Sequence, residues 1–201
     1  MTEEEFSNKF PDEKSCVTYI RNILESTMSL ICDKCEGGKL YFDNTNRCWN
    51  CRKCGKRKSL TTETIFAYSK FPLMYWMKVI YHLSNNKDMF TVNQLQEILN
   101  EHTPNHVRIM HMRIRSAMLQ YLKENKIKCS VNKKTKSQIN FVYKGISEET
   151  SKLYIAEYVY RSLPENEGDD AFDNLLKICL THTTDVKLKR SKPYIKKADR
   201  V

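Results

Sequence analysis

Glycine and proline are scarce, five of each among 201 residues, which excludes long flexible linkers and collagen-like repeats. No apolar run approaches the roughly 18 residues needed to span a bilayer. The opening of the chain lacks the basic start and apolar core of a secretory signal. Acidic side chains are missing altogether from Asn125 to Ser147, a stretch that holds six lysines. The chain therefore reads as folded and intracellular, nuclear in a eukaryote or cytoplasmic in a bacterium. Neither a membrane nor a small-molecule substrate is expected as a partner.

What is abundant is positive charge. Lys and Arg total 34 against 24 Asp and Glu, a formal net charge of +10. The excess is uneven. Residues 1–31 carry −3, 32–70 carry +5, 71–124 carry +2 and 125–147 carry +6; 148–185 then carry −6 and 186–201 carry +6. A long positive block followed by an acidic one suggests a surface for polyanions. A solvated lysine-rich surface would give the same totals.

Of eight cysteines, five fall close together, as Cys32-x2-Cys35 and Cys48-x2-Cys51-x2-Cys54. Two thiol pairs on tight turns, brought together by an antiparallel hairpin, are what a tetrahedral zinc site requires. Four thiolates leave no open position for water, so such a Zn²⁺ is structural. A disulfide reading conflicts with the missing secretory signal. Cys32, Cys35, Cys51 and Cys54 are the favoured ligands, and Cys48 is a neighbour that could substitute. Lys39-Leu40-Tyr41-Phe42 reads as one strand of the hairpin and Lys56 to Leu60 as its return. Lys56, Arg57 and Lys58 could touch phosphate or simply be solvated.

Helical periodicity flanks this ribbon. Asp12 and Glu13 open a helix with Cys16, Ile20, Ile23 and Leu24 on one face. After Pro72, Leu73, Trp76, Val79, Ile80 and Leu83 line a core-facing stripe. A shorter helix spans about Thr91 to Asn100, with Val92, Leu95, Ile98 and Leu99 buried. The next has Thr103 as N-cap, Pro104 in its first turn, and Val107, Met110, His111, Ile114, Met118 and Tyr121 inward. Asn105, Arg108, Met112 and Arg115 lie on the opposite arc, flanked by His106 and Arg113. A short helix, a turn and a longer helix with Asn and Arg near its start fit a DNA-reading helix-turn-helix. An ordinary bundle with a basic face fits equally. His82, His102 and His182 read as isolated surface or packing residues.

Three segments resemble one family. Cys51-Arg52-Lys53-Cys54-Gly55-Lys56-Arg57-Lys58-Ser59, then Thr61-Thr62-Glu63-Thr64-Ile65-Phe66, then Ser69-Lys70-Phe71-Pro72-Leu73 with Trp76, are similar to the front end of Merlin-type transposases and their bacterial insertion-sequence relatives. Phe10-Pro11-Asp12-Glu13 with Cys16 resembles the family's opening helix. Leu95–Leu99 and His111–Met118 resemble its helix-turn-helix, so the likeness covers roughly residues 6–122. The sequence departs from the family at Glu63, where Gly is usual, and in the spare Cys48.

The resemblance implies zinc at the paired cysteines and double-stranded DNA as partner. It would also imply an RNase-H-like catalytic half, in which three acids hold two divalent metals. Here the acid-free stretch stands where the first catalytic Asp is due, and too little chain follows. Glu148, Glu149, Glu165, Glu167, Asp169, Asp170 and Asp173 read as a solvated face.

In the last third, Ile139 to Tyr143 reads as a strand, Glu148–Leu163 as a helix, Pro164–Gly168 as a loop and Asp170–Thr181 as a final helix. These two helices could form a homodimer surface or cover the helical core. Residues 186–201 read as a basic arm. The expected fold is mostly α with a small zinc-ribbon hairpin. Its units are a packing helix (1–30), a ribbon (31–68), a helix-turn-helix domain (69–124), a C-terminal region (125–185) and the arm. The expected function is sequence-specific DNA binding without catalysis. A compact active transposase, or an interaction module of the transcription machinery, are the alternatives.

Overall fold

The computed structural model of the chain describes residues 1–35, 37–86, 90–100, 104–142, 147–166 and 168–182. These form eight α-helices and one three-stranded antiparallel sheet, so the chain is mostly helical with a small ribbon. The helices are α1 (Glu3–Lys9), α2 (Glu13–Thr27), α3 (Leu73–Asn85), α4 (Val92–Leu99), α5 (Pro104–Glu124), α6 (Lys133–Val142), α7 (Glu148–Arg161) and α8 (Ala171–Thr181). The strands are β1 (Leu40–Asp43), β2 (Cys48–Cys51) and β3 (Arg57–Ser59), in that spatial order. None of the helices is long and apolar enough to cross a membrane, among the described residues.

Local chemistry sets the helix starts. Thr2, Asp12 and Thr91 each form a capping box, with Glu5, Ser15 and Gln94 respectively, satisfying backbone donors at the starts of α1, α2 and α4. The start of α3 has no such local cap, because Pro72 precedes it. Glu13 from α2 does the work instead: its carboxylate accepts from the backbone N–H groups of Leu73 and Met74, both at 2.9 Å. The same carboxylate takes Arg47 of the ribbon at 2.8 Å. One acid thus ties ribbon, α2 and α3 together.

Helix α5 is the axis of the bundle, packed by α3, α4, α7 and α8. Val107, Met110, His111, Ile114, Met118 and Leu122 are buried along it, and Tyr121 is partly covered. The expected stripes of α3 and α8 are buried as well, through Trp76, Val79 and Ile80 in one and Phe172, Leu175 and Cys179 in the other. Residues of α7 and α8 therefore share one core with α3–α5 rather than standing apart.

Two expectations need correction. Ile139 to Val142 are helical, not a strand, and Tyr143 lies outside the described residues. The Asn132 side chain accepts from Thr135 N–H at 2.8 Å and so starts a helix there, and Ile139 is buried. Arg115 does not face solvent: it is 1% exposed, and its guanidinium meets Glu157 of α7 at 2.6 Å. His182 is also tied in, with Nε2 3.0 Å from Glu124 and Nδ1 3.0 Å from the Ile178 carbonyl. The Thr103 cap, His102, Glu167 and the 186–201 arm lie outside the described residues.

Among the described residues Glu157 is the one carboxylate buried in the core, and it meets two guanidinium groups and a histidine ring. Arg161 reaches its other oxygen at 3.1 Å, and His111 stands 3.4 Å away. Tyr154 stacks beneath Arg115, ring to guanidinium carbon 3.7 Å. Burial alone pushes the Glu157 carboxyl up, but Arg115, His111 and Arg161 outweigh it and hold it well below the usual range. Burial and the Arg115 charge lower His111 to about 4, so its ring is neutral near pH 7.

Breaking this cluster leaves buried guanidinium charge without its counterion. Glu157→Ala is expected to cost about 3–5 kcal/mol in urea unfolding. Acid has a signed effect. Above about pH 6.5 neither folded nor unfolded chain protonates His111; below it the unfolded chain binds a proton that the buried ring refuses until about 4. Stability should therefore fall as pH drops through that window, by about 3 kcal/mol, with Glu157 adding a loss in the same direction below its unfolded value. Urea midpoints measured from pH 7 to 4 check this, and His111→Gln should flatten the upper part of the curve.

Candidate metal centre

The ribbon has little apolar mass of its own. Its inner face carries Leu40, Phe42, Trp49 and Cys51, and strand pairing puts Leu40 beside Cys51 and Phe42 beside Trp49. The expected hairpin partners, Leu40–Phe42 and Arg57–Ser59, do not pair directly. Cys48-Trp49-Asn50-Cys51 lies between them as the central strand. That strand was missed, although its Trp flanked by Cys and Asn is compatible with period-2 alternation.

Four of the five clustered cysteines converge. The sulfurs of Cys32, Cys35, Cys51 and Cys54 all lie within 4.8 Å of one another. Cys32 Sγ is 3.7 Å from Cys54 Sγ, and Cys35 Sγ is 3.5 Å from Cys51 Sγ. A tetrahedron with metal–sulfur bonds of about 2.3 Å has edges of about 3.8 Å, so the spacing suits a single tetrahedral ion. It is far too long for disulfide bonds of about 2.05 Å. The cluster beside the sheet is thus compatible with a zinc ribbon, and these four residues are placed to hold a metal ion.

Strand geometry settles the ligand ambiguity. Cys48 and Cys51 are three positions apart on one strand, so their side chains leave opposite faces. Cys51 joins the cluster, whereas the Cys48 sulfur sits 3.8 Å from Asn50 Oδ1 on the other face. Cys54 reaches the cluster from the turn after β2. There Gly55 has φ +69°, and its N–H bonds to the Cys51 carbonyl at 2.9 Å. That conformation favours glycine.

The other knuckle is closed by Gly38. A Cβ there would lie 2.5 Å from Cys51 Sγ and 2.8 Å from Cys35 Sγ, so only glycine fits. Backbone N–H groups of Cys54 and Lys53 lower the Cys51 thiol to about 6, which makes it a thiolate near neutrality. Burial, together with the neighbouring sulfurs, pushes Cys35 up to about 12. A cation is the partner that lets both carry charge. The remaining buried thiols differ: burial pushes Cys16 up to about 12 and Cys179 higher still, and both sit in the apolar core as inert side chains.

The basic residues expected to meet phosphate are placed unevenly. Lys56 is paired with Asp33 of the first knuckle at 2.6 Å, and Lys58 with Glu63 at 2.7 Å. Arg57 is exposed on β3. At the start of α5, Asn105, His106 and Arg108 are exposed and Met112 is half-buried. Arg113 turns inward, its Nη1 donating to the carbonyls of Ile65 and Ala67 at 2.9 and 2.8 Å. Arg115 belongs to the buried Glu157 cluster. Of the nine residues expected at a DNA surface, Arg115 is sealed in the core and Arg113 is committed to the loop.

No protein-family model matches the chain, and no curated protein or solved structure compared with it matches either.

Elemental analysis of protein purified under reducing conditions is expected to return about one ion per chain, as a closed four-sulfur site takes. Cys54→Ser and Gly38→Ala should lower that content, and Cys48→Ser should leave it unchanged. An equal loss from Cys48→Ser would overturn the assignment of ligands.

Proposed function

We propose that the chain is a zinc-dependent, sequence-specific binder of double-stranded DNA. Its first two thirds resemble the front half of a Merlin-type transposase. Zinc is the ion of choice because four thiolates in a closed tetrahedral set suit a structural Zn²⁺. The ion folds the ribbon and takes no part in chemistry.

The observation that carries the reading is the exposed start of α5. Asn105 and Arg108 stand clear of the core there, while the rest of the helix is held by α3, α4, α7 and α8. A rigid helix presenting Asn and Arg in its first turns has the donors that pair with adenine and guanine edges in a major groove. The reading zone is short. It extends from Asn105 to Met112, and the buried remainder works as an anchor. Helix α4 precedes it and packs against it, as the first helix of a helix-turn-helix does.

Glu63 is compatible with the resemblance. Its φ is +63°, a conformation that favours glycine, at the position where the resembled family has Gly. Further positive charge from exposed Arg57 and Lys70 adds affinity that salt weakens.

Selection of bound duplexes from a random pool, with competition against a scrambled duplex, tests the reading. Arg108→Ala is expected to weaken the selected site about 5- to 150-fold, with a smaller loss on scrambled DNA. Equal losses on both would reduce Arg108 to a phosphate contact, and no retention of any duplex would end the proposal. Arg115→Ala should instead lower the unfolding midpoint. Colourless protein that contains zinc by elemental analysis is the expected metal result; visible absorbance from an iron–sulfur centre would overturn that part.

A further inference from the structure

The loop between β3 and α3 is clamped on both sides of Tyr68. Ile65 and Phe66 are buried, and Ile65 N–H bonds to the Cys179 carbonyl of α8 at 3.1 Å. Phe66 packs edge-on against Trp76, centroids 5.1 Å apart. Arg113 clamps the carbonyls of Ile65 and Ala67 from α5. On the far side, Ser69 Oγ accepts from Trp76 Nε1 and from Phe71 N–H, both at 3.1 Å. Between these clamps stands Tyr68, 99% exposed, with φ +57°.

Both features are unfavourable for the fold. A bulky residue at positive φ is strained, and a glycine would relieve it. The ring gains nothing from burial. Among the described residues the other exposed large apolar side chains are between 38% and 57% exposed, so each is still partly packed. A side chain that stands in solvent between two clamped stretches of backbone, at two costs to stability, is available to a partner.

The surroundings identify the partner's chemistry. The loop lies along the first half of α5: Arg113 of α5 grips Ala67, and His106 meets the Phe71 ring at 4.7 Å. Lys70 and Arg108 are exposed nearby in the chain and on that helix, and Glu63, the acid of the loop, is engaged by Lys58. Residues 32–70 carry a net charge of +5. A polyanion with flat π faces fits an exposed phenol ring in a cationic surround. A nucleic acid carries both features at every residue, whereas an acidic peptide offers a flat face only where an aromatic side chain interrupts its acids.

We propose that Tyr68 is a stacking post for an unpaired nucleobase flanking the duplex held by α5. This inference rests on the DNA-binding reading and adds to it that the chain favours DNA with a base out of the stack. A perfect duplex offers no free base face, whereas a bulge or a single-stranded flank does. Stacking on an aromatic side chain is tolerant of sequence.

The test uses the full chain with a mixed-sequence duplex and the same duplex carrying a bulged 2-aminopurine. Wild type is expected to bind the bulged form about 5- to 100-fold tighter, and to quench the probe's fluorescence. Tyr68→Phe should keep the preference and the quenching; Tyr68→Ala and Tyr68→Gly should lose both. The thermal midpoint of Tyr68→Gly should hold or rise, because strain is released and no packing is lost. A lower midpoint would point to a structural role and overturn the inference. Equal wild-type affinity for the two forms would overturn it while leaving duplex binding intact; failure to retain either form would overturn both.

Discussion

Convergence of four sulfurs is the constraint on which the ribbon depends, and through the ribbon much else. Strands of three and four residues cannot hold themselves together in water. Leu40, Phe42 and Trp49 supply one modest apolar face, and a cation held by the four sulfurs would supply the free energy that such a patch lacks. The consequence runs outward. Arg47, on the turn that leads into β2, meets Glu13, and Trp49 Nε1 donates to Glu25 at 3.0 Å. Because the same Glu13 carboxylate caps α3, a change in the ribbon reaches the first turn of the helical body through one side chain.

The helical body has a second centre of constraint in Glu157. Replacing such a cluster by apolar side chains is often neutral for stability, so its presence is not explained by strength alone. Its geometry does something packing would not: the Glu157 carboxylate meets only a guanidinium arriving at the right height on α5. That fixes α7 against α5 in one register.

Much of this arrangement was legible in the sequence. Thiol spacing gave the metal ligands, apart from the choice between Cys48 and Cys54, which needed the strand faces of β2. Capping residues and apolar stripes gave α2, α3, α4, α5, α7 and α8 to within a few residues. Tertiary effects were the part that stayed hidden. Helix α6 was misread because Ile139-Asn140-Phe141-Val142 is β-favouring in isolation, and β propensity yields to context. The Glu157 cluster involves residues 42 positions apart, Arg115 to Glu157, which periodicity on either helix cannot connect. Arg115 does fall four residues after His111 and three before Met118, on the edge of the inward stripe. A charged residue at that edge was a signal that a buried counterion was needed.

The three arginines of α5 show why residue type alone was a poor guide. Arg108, Arg113 and Arg115 are chemically identical and lie within eight positions of one helix. One is exposed, one clamps two loop carbonyls, and one is 1% exposed against a carboxylate. What separates them is what the rest of the chain brings opposite each: nothing from the described residues at the first turn, the bare carbonyls of Ile65 and Ala67 at the second, Glu157 at the third. A guanidinium is driven inward wherever acceptors would otherwise go unsatisfied, since leaving buried carbonyls or a carboxylate unpaired costs more than withdrawing one arginine from water. The charge left for a partner is therefore the remainder after the fold has met its own demands. Among the arginines of α5 that remainder sits at the N-terminal end, on the half of the helix along which the Tyr68 loop lies.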